Sequence, residues 1–206
     1  MPAARLSLLL HHRNLTGRST VGWRKLGSKQ LRQGPFLSLQ RDRVLRPDGS
    51  ISTYEHVVVH DTVRTVALDG RGHVLLVEDD FYLQRRRMLH LPGGGTDGEA
   101  PTVAGQRELL EETGRVAERI DHLATLDPLP GATAARLHLL VATGLAPSAD
   151  AVHRDATVVG MTAMWWPLGE AVTAARTGQI TDAGSVAGVL LAVEAETAVP
   201  RSDQRA

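Results

Sequence analysis

The chain has 206 residues, of which 42% are hydrophobic and 22% are charged, a composition that supports a buried core and excludes a wholly disordered protein. Its 23 Lys and Arg residues balance 23 Asp and Glu residues, so the net charge provides no attraction to nucleic acid or to an anionic membrane. The absence of cysteine excludes disulfides, thiolate nucleophiles and Cys-ligated zinc, and leaves oxygen and imidazole as metal ligands.

We expect flexible tails at both ends of the chain, at residues 1–20 and 199–206. The first tail shows no hydrophobic periodicity, and its longest apolar run, Leu6 to Leu10, is too short for a secretory signal or a membrane span. We therefore expect a cytoplasmic protein with no membrane partner.

Two β-hairpins are predicted in the first ninety residues or so. The first has strands at Phe36–Arg46 and Ile51–His60 around a Pro-Asp-Gly-Ser turn, and it belongs to a small antiparallel β-element at residues 21–61. The second has strands at Val63–Leu68 and His73–Val77. This second hairpin would begin the main domain, residues 62–198.

A glycine-rich loop at 92–95 precedes a predicted helix at Thr102–Thr113, which Gly114 ends. Three further strands and two helices are predicted, namely strands Leu123–Leu126, Arg136–Ala142 and Val158–Trp166, and helices Gly169–Thr177 and Asp182–Thr197. This order lacks regular βαβ alternation and predicts an α+β fold with mixed strands.

Three glutamates crowd one part of the predicted helix. Glu108, Glu111 and Glu112 stand at positions i, i+3 and i+4, which share one face of a helix with about 3.6 residues per turn. Like charges at that spacing repel each other, so the arrangement indicates a cation among the carboxylates. Carboxylate oxygens favour Mg²⁺ or Mn²⁺, and Mg²⁺ prefers a phosphate as a further ligand. The pattern predicts a phosphoric anhydride substrate, with a solvated Glu and Arg face as the alternative.

The spacing of the surrounding residues matches a known motif. Gly93 is followed after five residues by Glu99, and after seven more by Arg-Glu-Leu-Leu-Glu-Glu-Thr-Gly from Arg107 to Gly114. These residues match nearly every fixed position of the Nudix box, Gx5Ex7REUxEExGU, with Arg115 departing from its final aliphatic position. The sequence thus resembles the Nudix hydrolases.

The resemblance implies a fold, a cofactor and a set of residue roles. In that family the box forms a loop, a helix and a loop on an α/β/α sandwich with a mixed sheet, and it binds one to three divalent cations, here Mg²⁺ or Mn²⁺. Glu111 would be a further ligand or the base that orients water, and Glu99 would anchor Arg107. The implied catalytic residues are Glu111, Glu112, Glu108, Arg107 and Glu99, and the implied metal-binding residues are Glu108, Glu112, Glu111 and Gly93.

Outside the box, the chain resembles the branch that hydrolyses ADP-ribose and nucleotide sugars, from about Trp23 to Ala192. The segment Tyr54–Val58 is one part of that similarity. Pro130 lies fifteen residues beyond the last box position and resembles a proline that marks ADP-ribose-type members, an ordinary turn proline being the alternative. In this branch an N-terminal β-element packs on a second subunit and helps enclose the nucleotide, so the resemblance implies a homodimer.

Five other residues are candidates for substrate contact. Phe81 and Tyr82 precede the box loop, where a ring could stack on a base or simply pack in the core or a turn. Arg85 and Arg87 belong to a basic run suited to phosphate oxygens, or to a solvated loop. Asp155, in the loop before the last predicted strand, could activate water or remain an exposed loop acid.

We expect a Mg²⁺-dependent Nudix pyrophosphohydrolase that cleaves the diphosphate of ADP-ribose or of a nucleotide sugar to a nucleoside monophosphate and a phosphorylated moiety. Its partner would be this small molecule, and not a nucleic acid. A nucleoside triphosphate pyrophosphohydrolase is one alternative. The other is a non-catalytic nucleotide-sensing module, suggested by the poor acid loop and by His90, where many relatives carry Glu.

Overall fold

The computed structural model describes residues 22–148 and 160–198, with side chains described as far as Val193. The two predicted tails and Asp155 lie outside these ranges. Within them, no helix has the length and apolar character needed to span a membrane.

Nine strands and three helices are formed by the described residues. They are β1 Arg24–Gln33, β2 Ser38–Leu45, β3 Ile51–Val58, β4 Thr62–Ala67, β5 His73–Phe81, β6 Arg86–His90, α1 Pro101–Thr113, β7 Arg115–Leu126, β8 Leu137–Pro147, β9 Thr162–Pro167, α2 Leu168–Thr177 and α3 Ala183–Ala198.

The N-terminal part forms an antiparallel sheet in the order β1-β2-β3. The first predicted hairpin is confirmed, since β2 and β3 pair from Ser38 with Val58 to Leu45 with Ile51. The sequence does not predict β1, because its mostly polar residues lack alternation and nearly all are exposed. Pairing with β2 decides the conformation of β1.

The second predicted hairpin is wrong, because β4 and β5 belong to different sheets. β4 pairs in parallel with β8 in the sheet β4-β8-β7, and β5 lies between β6 and β9 in an antiparallel sheet. An isolated bridge joins Leu68 to Val74 across the turn. On its other side β4 forms backbone hydrogen bonds with the glycine-rich loop. The Val63 N–H donates to the Gly94 carbonyl at 2.9 Å.

Alternate residues of β5 face two different helical layers. Leu75 packs in a cluster with Leu109 of α1, whereas Val74 and Leu76 pack in a cluster with Val189 of α3 and with side chains of α2. Successive side chains of a strand point to opposite faces, so both faces of the sheets are covered by helices. This arrangement confirms the expected α+β fold and the α/β/α sandwich.

The predicted helix after the loop is confirmed as α1. It packs closely on the sheet at Gly105, where an added Cβ would lie 2.4 Å from Cδ1 of Leu140. It ends at Gly114, whose φ of 70° lets its N–H donate to the Leu110 carbonyl. The close packing at Gly105 fixes α1 against the sheet, and the Gly114 cap fixes where the helix ends.

Candidate active site

The glycine-rich loop runs directly against β4. Gly93 has a φ of 151°, and a Cβ added there would lie 2.1 Å from the carbonyl oxygen of Val63, so the position requires glycine. A Cβ added at Gly94 would lie 2.5 Å from Oε1 of Glu108. The loop backbone therefore touches both the strand and the acidic face of α1.

Arg107 ties the loop to three carboxylates. It donates from Nε to Glu99 at 2.9 Å, from Nη1 to Glu108 at 2.8 Å and to Glu111 at 3.3 Å, and from Nη2 to the Gly95 carbonyl at 2.8 Å. Burial alone would lower the pKa of Arg107, but the hydrogen bonds to Glu99 and Glu108 raise it above its ordinary value. Arg107 is thus a fixed positive charge in the box.

The partner of Glu112 is the backbone of the loop, and not the guanidinium of Arg107. Its Oε2 accepts the N–H of Gly93 at 3.0 Å, and only 7% of the residue is exposed. Burial raises the pKa of Glu112 to about 8, outweighing the Gly93 hydrogen bond and the Arg64 charge, which lower it. Burial also raises the pKa of Glu108, although Arg107 opposes this.

The three glutamates of α1 therefore have two partners, Arg107 and the backbone of the glycine-rich loop. For Glu108 and Glu111 the positive charge is the guanidinium of Arg107. In the described parts of the chain, no three His, Asp or Glu side chains are arranged to hold a metal ion. The donor set still fits a hard divalent cation in its chemistry, because it consists of carboxylate oxygens beside the backbone carbonyls of the glycine-rich loop.

The raised pKa of Glu112 predicts that the metal-free protein loses stability as the pH rises. The folded state keeps a proton on Glu112 until a pH of about 8, whereas the unfolded chain releases it near 4.5. This contribution is full below the unfolded pKa and is lost as the pH rises through the folded pKa. We expect the free energy of unfolding to fall relative to that of Glu112→Gln between about pH 5 and about pH 8. Urea denaturation with a chelator measures this, and equal pH slopes would contradict it.

Sequence reasoning misses two charged residues at this site, Arg64 and Asp182. Arg64 donates from Nη1 to the Gly93 carbonyl at 2.6 Å and from Nε to Asp182 at 3.1 Å. Burial alone would raise the pKa of Asp182, but the charge of Arg64 and the hydrogen bonds from Ser185 and Arg64 hold it below its ordinary value. The available signal was an arginine inside the mostly apolar, β-branched run Val63–Leu68, since buried arginines need partners.

His90 lies in the core behind the loop. It is 2% exposed, its Nδ1 hydrogen-bonds to the Leu91 carbonyl at 2.9 Å, and its ring meets that of Phe81 edge-on at 5.3 Å. Burial lowers the pKa of His90, and the charge of Arg64 lowers it further. A neutral imidazole therefore lies directly before the glycine-rich loop.

Four of the predicted substrate-contacting residues, Phe81, Tyr82, Arg85 and Arg87, lie in the hairpin of β5 and β6. Tyr82 lies 90% exposed between β5 and β6, and Arg85 occupies a left-handed position in the same turn, with a φ of 53°. Arg87 donates from Nε to Glu78 at 3.0 Å, so its guanidinium is already paired. Pro130 is far along the chain and borders a separate cavity.

That cavity measures about 370 Å³ and lies between the N-terminal sheet and the segment before β8. Trp23 and Tyr54 line it, with their rings 5.8 Å apart in an edge-on contact. Tyr54 donates from its hydroxyl to the Gly131 carbonyl at 2.8 Å, which joins the N-terminal sheet to the main part of the chain. Two aromatic rings therefore border a space near Pro130.

The departure from the box at Arg115 has a structural explanation. The guanidinium of Arg115 lies over the ring of Trp165, 5.3 Å from its centroid. This cation–π contact packs the start of β7 in the place of an aliphatic side chain.

Two known domain families match the chain. The NUDIX domain matches residues 58–186, and the nucleoside diphosphate sugar hydrolase N-terminal domain matches residues 23–57. The chain belongs to the Nudix hydrolase family. As a Nudix hydrolase it is an enzyme that acts on phosphoric anhydrides, and enzymes of this family generally use divalent metal ions.

Individual relatives agree with this assignment. An ADP-ribose pyrophosphatase of Mycobacterium tuberculosis is 36% identical over 176 residues, covering 84% of this chain and 83% of the relative. A methanol dehydrogenase activator of Bacillus methanolicus is 31% identical over 129 residues, covering 62% of this chain and 70% of the relative. The crystal structure of an ADP compounds hydrolase, 20% identical, shares the fold with a TM-score of 0.77 over 88% of this chain and 97% of that one.

Proposed function

We propose that this Nudix hydrolase is a Mg²⁺-dependent pyrophosphohydrolase that cleaves ADP-ribose or a nucleotide sugar to a nucleoside monophosphate and a phosphorylated moiety. The observation that carries the proposal is the pair of carboxylates held against the glycine loop, the half-buried Glu108 and the buried Glu112. The similarity to an ADP-ribose pyrophosphatase supports the substrate class.

One to three Mg²⁺ or Mn²⁺ ions would be held by Glu108, Glu112 and Glu111. The Gly93 carbonyl, one lone pair of which accepts Arg64, would be a further oxygen ligand through its other lone pair. When bound, such ions neutralise phosphate charge and lower the pKa of a bound water. In the overall reaction the oxygen of water bonds to one phosphorus of the diphosphate. The bridging oxygen leaves with the other phosphate.

The chain's own residues would position this reaction. Arg107 holds the loop and α1 together through Glu99 and the Gly95 carbonyl. The Glu111 side chain is 42% exposed and that of Glu108 only 12%, so water reaches Glu111 more easily. We therefore place the orientation or deprotonation of water at Glu111. Asp155 stays a second predicted candidate for that role.

The aromatic cavity is our candidate site for the nucleobase. Its volume of about 370 Å³ and the rings of Trp23 and Tyr54 suit a planar base, and stacking on an aromatic ring contributes about 1–3 kcal/mol per base. This assignment differs from the predicted stacking on Phe81 or Tyr82, which stays open as a prediction.

Removal of the Tyr54 ring tests whether this cavity binds the nucleobase. We expect Tyr54→Ala to raise KM for the diphosphate substrate about tenfold and to change kcat little, because stacking acts on the ground state and the transition state alike. Steady-state kinetics measure both constants. Tyr54→Phe keeps the ring and loses only the hydroxyl bond to Gly131, so it should retain a nearly normal KM. An unchanged KM in Tyr54→Ala would contradict the assignment.

We also propose that the chain forms a homodimer through its N-terminal β-element, residues 21–61, with residues 62–198 as the hydrolase domain. Apolar side chains of this element stay exposed, among them Leu26 at 39%, Ile51 at 57% and Val58 at 41%. Such side chains on one small sheet favour burial against a partner. Light scattering of the purified protein measures its mass in solution, and a monomer would contradict the proposal. A cytoplasmic location stays a prediction.

A substrate panel tests the proposed function. The protein is incubated with ADP-ribose, GDP-mannose and a set of nucleoside triphosphates under saturating Mg²⁺ and, separately, Mn²⁺. We expect a nucleoside monophosphate and a sugar phosphate from at least one diphosphate compound. Pyrophosphate from a triphosphate, without cleavage of the diphosphate sugars, would favour the triphosphate alternative. Calorimetric binding without hydrolysis would favour the sensing module.

A further inference from the structure

Arg64 is a charged residue in a buried strand. Its neighbours in β4, Val63 and Thr65, have no exposed surface, and its own side chain is 15% exposed. Because side chains alternate along a strand, Arg64 shares with Val66 the face that α3 covers. An arginine is rarely placed there unless its hydrogen bonds are used.

The guanidinium of Arg64 and the carboxylate of Glu112 bind the two backbone polar groups of the same residue, Gly93. Nη1 of Arg64 donates to the carbonyl of Gly93 at 2.6 Å. The N–H of the same residue donates to Oε2 of Glu112 at 3.0 Å. Gly93 is therefore held on both sides, and its orientation sets the position of the Glu112 carboxylate.

The first turn of α3 supports this arrangement at two points. Oδ2 of Asp182 accepts Nε of Arg64 at 3.1 Å and the hydroxyl of Ser185 at 2.6 Å. The Ser185 oxygen accepts the N–H of Leu91 at 2.8 Å, two residues before Gly93. The beginning of α3 thus fixes the loop directly through Ser185 and indirectly through Arg64.

We propose that Arg64 and Asp182 are positioning residues that fix the backbone of Gly93 and, through its N–H, orient the Glu112 carboxylate for cation binding. The fork of a guanidinium is required, because one planar group must meet the Asp182 carboxylate and the Gly93 carbonyl together. The inference rests on the proposed function for its catalytic consequence, and on the contacts alone for its effect on the loop.

Two conservative variants test the proposal. Arg64→Lys keeps the charge and loses the fork, and Asp182→Asn keeps an acceptor that can cap α3 and loses the negative charge. The control is Val189→Ala, which removes buried apolar contacts of the same helix and leaves the network intact. Melting temperature follows the stability of all three.

Three measurements separate positioning from simple stabilisation. By electron paramagnetic resonance, we expect Mn²⁺ to bind about tenfold more weakly to both network variants, the size typical of losing an outer partner of a metal ligand. We expect kcat to fall by about the same factor with KM nearly unchanged, since the reacting end is affected rather than nucleotide binding. Val189→Ala should lower the melting temperature without either change.

The third measurement is hydrogen exchange of the metal-free protein, followed by mass spectrometry over a peptide containing residues 89–95. Exchange should be faster in both network variants than in the wild type and in the control. Normal exchange and normal Mn²⁺ affinity in Arg64→Lys and Asp182→Asn would overturn the proposal, as would equal changes in Val189→Ala. If the wild type hydrolyses no substrate, the proposed function fails, and the exchange rates still decide whether Arg64 positions the loop.

Discussion

Replacement of Glu112 by glutamine should lower kcat by about 10³-fold and leave the fold intact. Glu112 is a buried carboxylate that would bind the catalytic cation, and an amide cannot supply the negative charge that the cation needs. Loss of about 4 kcal/mol of charge stabilisation in the transition state corresponds to that factor. Steady-state kinetics under saturating Mg²⁺ measure the effect.

The fold of Glu112→Gln should be at least as stable as the wild type without metal. The amide oxygen can still accept the Gly93 N–H, and a neutral group costs less to bury than a carboxylate. Thermal unfolding in a chelator tests this. Glu170→Gln, at an exposed position of α2, is the matched control and should keep normal activity. Near-normal turnover of Glu112→Gln would remove Glu112 from the catalytic residues.

Replacement of Gly93 by alanine should impair both stability and catalysis. The added Cβ would lie 2.1 Å from a backbone oxygen of β4, which cannot rotate away, and the φ of 151° is unfavourable for alanine. We expect a loss of about 3 kcal/mol in the free energy of unfolding from the clash and the strained backbone. The displaced loop should lower kcat about 10²-fold, as small misplacements at a reacting centre do.

Alanine variants of two other glycines separate the steric clash from the backbone strain as causes of the loss of stability. Gly98 has a φ of 87° with no atom within 4 Å of an added Cβ, and Gly131 has open space without a positive φ. Gly98→Ala should show only the cost of the backbone conformation, about 1 kcal/mol, and Gly131→Ala almost none. Urea denaturation measures all three variants. An equal loss in Gly93→Ala and Gly98→Ala would show that the contact with β4 is unimportant.

Local patterns were sufficient for several elements. The helix of the box was predicted to within one residue of α1, because a glycine in the left-handed conformation ends it and no proline interrupts it. The hairpin of β2 and β3 followed from turn residues between alternating segments. Such signals depend on neighbours in the chain, so they survive without knowledge of the tertiary structure.

Pairing between distant segments could not be derived in this way. The sequence around Leu68 and Val74 is typical of a hairpin, yet β4 pairs with β8, 75 residues further along the chain (Thr62 with Leu137). β1 lacks alternation and depends on β2 for its conformation. Which strands pair with each other depends on the packing of the whole fold, so a local sequence pattern does not predict the pairing.

The sequence by itself indicated the chemistry of this protein in two ways. The period of a helix places Glu108, Glu111 and Glu112 on one face, and the full motif from Gly93 to Gly114 carries the resemblance to the Nudix box. Only the tertiary structure decided how those charges are shared: Arg107 takes Glu108 and Glu111, while Glu112 turns to the loop. Arg64 reaches that loop from another strand, and Asp182 supports it from 118 residues away. The pKa of each carboxyl group depends on its burial and on partners distant in the sequence, and both exist only once the chain is folded.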